Sequence, residues 1–143
     1  LAENPYAPAD FVTLDGYVPC PAGPTRRGID VSEHQGRIDW AQVHDAGFDF
    51  AFIRIGYRGY ESGKLVEDEY IRQNLEKTKE VGMPIGAYFF SQALTTQEVD
   101  EEIEFMFSML GEQYLEMPLV LDWEIPICSS SVTAGIFTPS LTS

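Results

Sequence analysis

The 143-residue chain reads as an α/β fold of parallel strands covered by helices, and three observations carry that reading. Between Gly28 and Glu124, apolar runs of strand length alternate with longer stretches of helical period, in the order strand, helix, strand, helix, strand, helix, strand. Each strand-like run is almost continuously apolar, as expected of strands buried on both faces. Right-handed crossovers then bring all four strand ends to one edge. That edge carries the active site in open α/β sheets and in closed (β/α) barrels alike, and the pattern by itself leaves both architectures open.

In order along the chain, residues 1–27 hold five prolines and two glycines, so they are expected to form an irregular lead-in. Tyr6, Phe11 and Tyr17 are its expected anchors on the domain surface. The first strand, Gly28 to Ser32, ends next to an acid, Asp30. A helix over Ile38 to Ala46 follows, with Asp39 as N-cap, Trp40 and Val43 turned inward, and Gly47 as its stop. The second strand runs from Phe50 to Gly56 and opens into a glycine-rich aromatic loop, Gly56 to Gly63. A helix is expected from about Glu67 to Val81, with Tyr70, Ile71, Leu75, Thr78 and Val81 on one stripe and Gly82 and Pro84 ending it.

The third strand is Pro84 to Ser91. Thr96 is the expected cap of a third helix, whose acidic run of Glu98, Asp100, Glu101, Glu102 and Glu104 suits the positive helix end and reads as a solvated face. Val99, Ile103, Phe105, Met106, Phe107 and Leu110 supply its apolar side. The fourth strand, Met117 to Glu124, closes the series. After it, Ile125 to Ser143 contains no charged residue, is rich in Ser and Thr, and shows no helical or strand period; it is expected to be disordered or foreign to the domain, as a shifted reading frame would make it.

Composition narrows the function. With 44% hydrophobic and 13% aromatic residues the chain is a folding one. Nine basic against 23 acidic residues give a formal charge of -14, which disfavours nucleic acid and anionic membranes as partners. There is no apolar run of about 18 residues, so no membrane span is expected. The first residue is Leu1 and no charged-then-apolar leader is read there, so any export signal is expected to have been removed or never included. Cys20 and Cys128 have no metal-like spacing, and a disulfide between them is possible but undecided. His34 and His44 lack partner ligands at useful spacing, so no metal or cofactor is expected.

The chemistry gathers at the strand ends. In Leu121-Asp122-Trp123-Glu124 the two acids share one side of a strand, with Cα atoms roughly 6.5 Å apart, and Trp123 points to the other side. Like charges so placed are relieved when one carboxyl keeps its proton. A proton donor beside an ionised carboxylate is the minimal set for acid-catalysed cleavage of a glycosidic bond. The structural alternative is that the pair caps a helix or meets basic residues. Asp30, Tyr57 and Phe90 or Ser91 fall on the same rim, and that convergence favours a site. A metal-dependent hydrolase using Asp30, Asp122 and Glu124 as oxygen ligands is a weaker reading.

Four motifs together resemble glycoside hydrolase family 25, the N-acetylmuramidases also called Chalaropsis-type lysozymes. They are Gly28-Ile29-Asp30-Val31-Ser32-Glu33-His34-Gln35-Gly36 with Ile38-Asp39-Trp40, Phe52 to Tyr60, Gly86 to Ala93, and Leu121 to Glu124. The resemblance covers roughly residues 28 to 124 and implies a modified (β/α) TIM-like barrel of which this would be the N-terminal half, a partial catalytic domain. It implies an enzyme, a lysozyme-type glycosidase that cleaves the β-1,4 bond between N-acetylmuramic acid and N-acetylglucosamine in bacterial peptidoglycan, outside the cell or in its wall. Glu124 would be the general acid. Asp122 would stay ionised, orienting the substrate N-acetyl group or stabilising the oxocarbenium-like centre, and Asp30 would add negative field. Tyr57, Tyr88 and Phe90 would be sugar-stacking walls, and Arg54 would either face the substrate or sit in a structural ion pair. The family domain is about twice as long, so a truncated and inactive fragment that at most binds cell-wall glycan is the alternative.

Overall fold

The computed structural model describes residues 5–14, 16, 18–19, 23–124 and 135–137. Its framework is a six-stranded sheet: β1 (Gly28–Val31), β2 (Phe50–Arg58), β3 (Leu65–Glu67), β4 (Ile85–Ser91), β5 (Leu119–Trp123) and β6 (Gly135–Phe137). The strand order is β1-β2-β4-β5-β6, with β3 attached to β2. β1, β2, β4 and β5 are parallel, as the apolar runs predict. Helices α1 (Trp40–Asp45), α2 (Ile71–Glu80) and α3 (Thr96–Leu110) are the crossovers between them.

Two strands depart from the sequence reading, and both are antiparallel: β3 against β2 and β6 against β5. β3 is three residues long, too short to show a period, and occupies what reads as loop and helix start. β6 lies within the stretch read as lacking strands, and its three residues pair with Leu119 to Leu121. The rest of 125–143 lies outside the described residues, as do Tyr17, Cys20 and Cys128. In the lead-in, the rings of Tyr6 and Phe11 meet edge-on at 6.0 Å, and Phe11 keeps 44% of its surface exposed. None of the described helices is long and apolar enough to cross a membrane.

The helix boundaries have local causes. Asp39 caps α1 by accepting the Gln42 N–H at 3.2 Å. α3 starts one residue earlier than expected, because Thr95 rather than Thr96 is the cap: its hydroxyl accepts from Glu98 N at 3.2 Å and the Glu98 carboxylate accepts from Thr95 N at 3.1 Å. Gly47 and Gly82 follow α1 and α2 at φ of 85° and 68°, a left-handed turn that favours glycine.

Alternation along the strands sorts the residues onto two faces. Val31, Ala51, Ile53, Ile55, Ala87, Phe89 and Leu121 are buried under the helices, against Trp40 of α1, Ile71 and Leu75 of α2, and Met106 and Met109 of α3. One residue of the acidic run joins this interior. Glu102 is fully buried and bonds Arg58 Nε at 2.7 Å, whereas the sequence reading places it on a solvated face. Arg58 also donates to the carbonyls of Gly63 at 2.7 Å and Glu98 at 2.9 Å, which pins the β2–β3 turn to α3. β2 carries a register step: Arg54 pairs with Tyr88, but Gly56 pairs with Phe89 and Tyr57 with Phe90. At Gly56 a Cβ would lie 2.2 Å from the Val66 carbonyl oxygen, so only glycine lets β3 approach there.

Glu102→Ala is expected to cost about 3 kcal/mol in urea unfolding, because it strips a buried guanidinium of its carboxylate. Glu104→Ala, at an exposed position of the same helix, should stay within about 0.5 kcal/mol of the parent.

Candidate active site

The face of the sheet away from the helices holds a cavity of about 480 Å³ lined by Asp30, Phe52, Tyr88, Val120, Asp122 and Glu124. Phe52 and Tyr88 supply its aromatic surface. A Cβ at Gly86 would fall 2.4 Å from the Phe52 ring, and one at Gly28 would fall 2.1 Å from the Phe50 ring. Phe50 and Phe52 meet edge-on at 6.1 Å. The two glycines therefore make room for these rings beside the strands.

Asp30 is the penultimate residue of β1 and Asp122 of β5, while Glu124 follows β5 directly. β1 and β5 are three strand spacings apart, roughly 14 Å on a flat sheet. For their carboxylates to share one cavity the sheet has to curl toward this face, as it does in a barrel. Trp123 leaves by the opposite face, where its indole N–H donates to the Ala93 carbonyl at 2.9 Å. Gln92 donates to the Glu124 carbonyl at 2.9 Å and ties the ends of β4 and β5 together.

The cavity is acidic, and among the described residues its lining includes no Lys or Arg. Asp122 is half-buried, and its pKa is raised above the usual aspartate value by that burial first, then by the charges of Glu124 and Asp30. The Tyr88 phenol is pushed up to about 12 by burial and by Asp30, so it remains a hydrogen-bond donor at neutral pH. Asp30 and Glu124 are exposed. Among the described residues, no three His, Cys, Asp or Glu side chains are gathered so as to hold a metal ion.

The structure thus brings together Asp30, Tyr88, Asp122 and Glu124 from among the residues singled out in the sequence. Phe52 and Val120 also line the cavity; strand parity with Asp30 and Asp122 is the signal that finds them. Tyr57 and Phe90 are paired in register beside Asp122, on the same face but outside the cavity lining. Arg54 lies outside the cavity lining, with its guanidinium carbon 5.0 Å from the centre of the Tyr57 ring. It is 7% exposed, bonds Asp68 at 2.8 Å and approaches Glu33 at 3.1 Å, so it sits in a structural ion pair. Asp68, 1% exposed, carries no sequence signal beyond its place before a helix.

A family model described as glycosyl hydrolases family 25 matches residues 29–139. This chain belongs to glycosyl hydrolase family 25. It is 35% identical to the uncharacterized protein YegX of Escherichia coli K12 over 127 residues, covering 80% of this chain and 44% of that protein. Lysozyme M1 of Streptomyces globisporus is 35% identical over 66 residues, 46% of this chain and 21% of that one. Among solved structures, the modular autolysin LytC of Streptococcus pneumoniae superposes with a TM-score of 0.64 at 25% identity, over 81% of this chain and 29% of that one. A family 25 glycosyl hydrolase of Bacillus anthracis gives 0.59 at 24%, over 78% of this chain and 45% of that one. The chain spans less than half the length of the family 25 relatives it matches, and its parallel strands form an open sheet of the barrel type.

Removing a neighbouring charge should lower the Asp122 titration midpoint, more in Glu124→Gln than in Asp30→Asn. Carboxyl ¹³C shifts followed against pH check this, and an unmoved midpoint in both variants would mean that burial alone sets it.

Proposed function

We propose that this chain carries the catalytic half of a peptidoglycan muramidase cleft. The observation behind the proposal is that three carboxylates from β1 and β5 meet in one aromatic-lined cavity in a family 25 chain. LytC has been crystallised with a synthetic peptidoglycan ligand, which makes a glycan strand the natural occupant to test.

The geometry suits a substrate-assisted reaction. Glu124, at the exposed mouth, protonates the glycosidic oxygen as the bond from that oxygen to C1 of N-acetylmuramic acid breaks. The acetamide oxygen of the same sugar closes on C1, and Asp122 accepts the acetamide N–H as positive charge grows on the resulting ring. Glu124, now ionised, takes a proton from the water that reopens it. Burial and the neighbouring acids raise the Asp122 pKa, and in its ionised form Asp122 either orients the N-acetyl group or stabilises the oxocarbenium-like centre. Asp30 supplies negative field and the Tyr88 hydroxyl supplies a donor for a sugar oxygen. Phe52 and Tyr88 offer ring faces to apolar sugar faces. An extracellular or cell-wall site of action follows from the substrate.

The second reading, glycan binding without turnover, has its own support: Asp30 and Glu124 are exposed, so the described walls leave the cleft open to water. A turbidity assay on purified bacterial cell walls separates the two. Lysis that falls by about 10²- to 10⁴-fold in Glu124→Gln and in Asp122→Asn, with far-ultraviolet dichroism unchanged, is the expected result. Retained wall binding without lysis by the parent chain establishes the second reading instead. Because Asp122 has to be ionised to accept the amide proton, the acid limb of the rate profile should lie above the ordinary aspartate range and move to lower pH in Asp30→Asn.

A further inference from the structure

We propose that Asp68 is a positioning residue of the cleft, holding the Arg54 guanidinium against the ring of Tyr57. This rests on the proposed function in so far as Tyr57 meets sugar.

Asp68 stands between β3 and α2 and every polar atom it has is engaged. Its Oδ2 accepts from Arg54 Nε at 2.8 Å and from Glu33 N at 2.9 Å, and its Oδ1 accepts from Tyr70 N at 3.0 Å. Its own N–H donates to the Ile55 carbonyl at 3.0 Å. Ile55 lies in the register step of β2, and that bond fixes the step. The step has a consequence for the cleft: strict alternation would put Arg54 and Tyr57 on opposite faces, but the step puts both on the face of Tyr88 and Phe90. There the Arg54 guanidinium carbon lies 5.0 Å from the centre of the Tyr57 ring.

Arg54 is therefore gripped by Asp68 and Glu33 while its guanidinium carbon lies over an aromatic ring. Its charge is neutralised by buried partners, so it supports the ring rather than recruiting a ligand of its own. Tyr57 itself is half-buried, which leaves part of its ring for a sugar while the buried part is held from behind. A ring already fixed in its bound position loses less freedom when the sugar arrives.

The test uses the full chain and a chemically defined probe, the tetramer of N-acetylglucosamine. In Asp68→Asn, which keeps the shape and removes the charge, the nuclear Overhauser contact between the Arg54 side chain and the Tyr57 ring should disappear. Tetramer binding should weaken by about five- to tenfold. Tyr57→Ala should weaken it similarly, and the double variant should be no weaker than Tyr57→Ala alone, because both changes remove one device. If Asp68→Asn unfolds, Arg54→Lys asks the same question, since an ammonium cannot both bridge the two carboxylates and stack. A ring contact that survives either substitution overturns the proposal, and so do effects that multiply in the double variant. A parent chain that does not bind the tetramer counts against the proposed function alone, because the ring contact is read on the free protein.

Discussion

The one-residue register step in β2 is the constraint on which both halves of the structure depend. Before it, alternation sends Ile53 to the helices and Phe52 and Arg54 to the cleft. After it, Tyr57 takes the cleft side and Arg58 the helix side. Without the step, Tyr57 would turn into the space filled by the helices, and Arg58 would lose the Glu102 partner that makes its burial tolerable. The step follows the point where β1 pairing ends, at Val31 opposite Ile53, and beyond it β2 pairs with β3 from Gly56 to Arg58. The chain holds this irregularity with means that act only together: a glycine at 56, a backbone bond from Asp68, and two buried arginines each closed by a carboxylate.

Charge is distributed by the same logic. The chain carries a formal charge of -14, yet its two buried cations both face the core or the wall and neither enters the cavity. Arg54 and Arg58 are paired with carboxylates outside the cavity, which leaves Asp30, Asp122 and Glu124 facing one another across it. That is an unfavourable arrangement for folding. It is tolerated because Asp30 and Glu124 reach solvent, where their repulsion is screened, and only Asp122 is drawn inward. A cleft arranged so concentrates its electrostatic stress on one carboxyl, and the proposed mechanism uses that carboxyl as its acceptor.

The parts of this design that repeat are legible in the sequence, and the parts that occur once are not. Four apolar runs and three helical stripes announce the parallel sheet, because each spans enough residues to show a period and is bounded by Gly, Pro or a capping acid. Asp122 and Glu124 stand out for the same reason: a two-residue spacing at a strand end has a definite geometric meaning. β3 and β6, of three residues each, carry no period. Glu102 is hidden inside a run of acids whose other members are more accessible, and only the partner from β2 singles it out. Asp68 looks like any acid ahead of a helix. Its partners are 14 and 35 residues away, a distance over which local patterning conveys nothing. The register step is the least legible feature of all, since the Ile55 carbonyl in it is met by the N–H of Asp68, from beyond β3.

On the proposed mechanism, proton transfer and substrate enclosure are separable properties of this fold. The acids and the aromatic lining come from β1, β2, β4 and β5, and each is supported from below by the helix-covered core. In the described sheet β1 and β6 are the edge strands, and β6 runs antiparallel on the side where a barrel continues with a parallel strand. Whatever lies over the open side of the cavity governs how much water surrounds Glu124 and Asp30, and hence how strongly the three carboxylates feel one another. Closing that side would deepen the burial that raises the Asp122 pKa. On the proposed mechanism, an open cleft and a closed one would therefore differ in tuning rather than in kind.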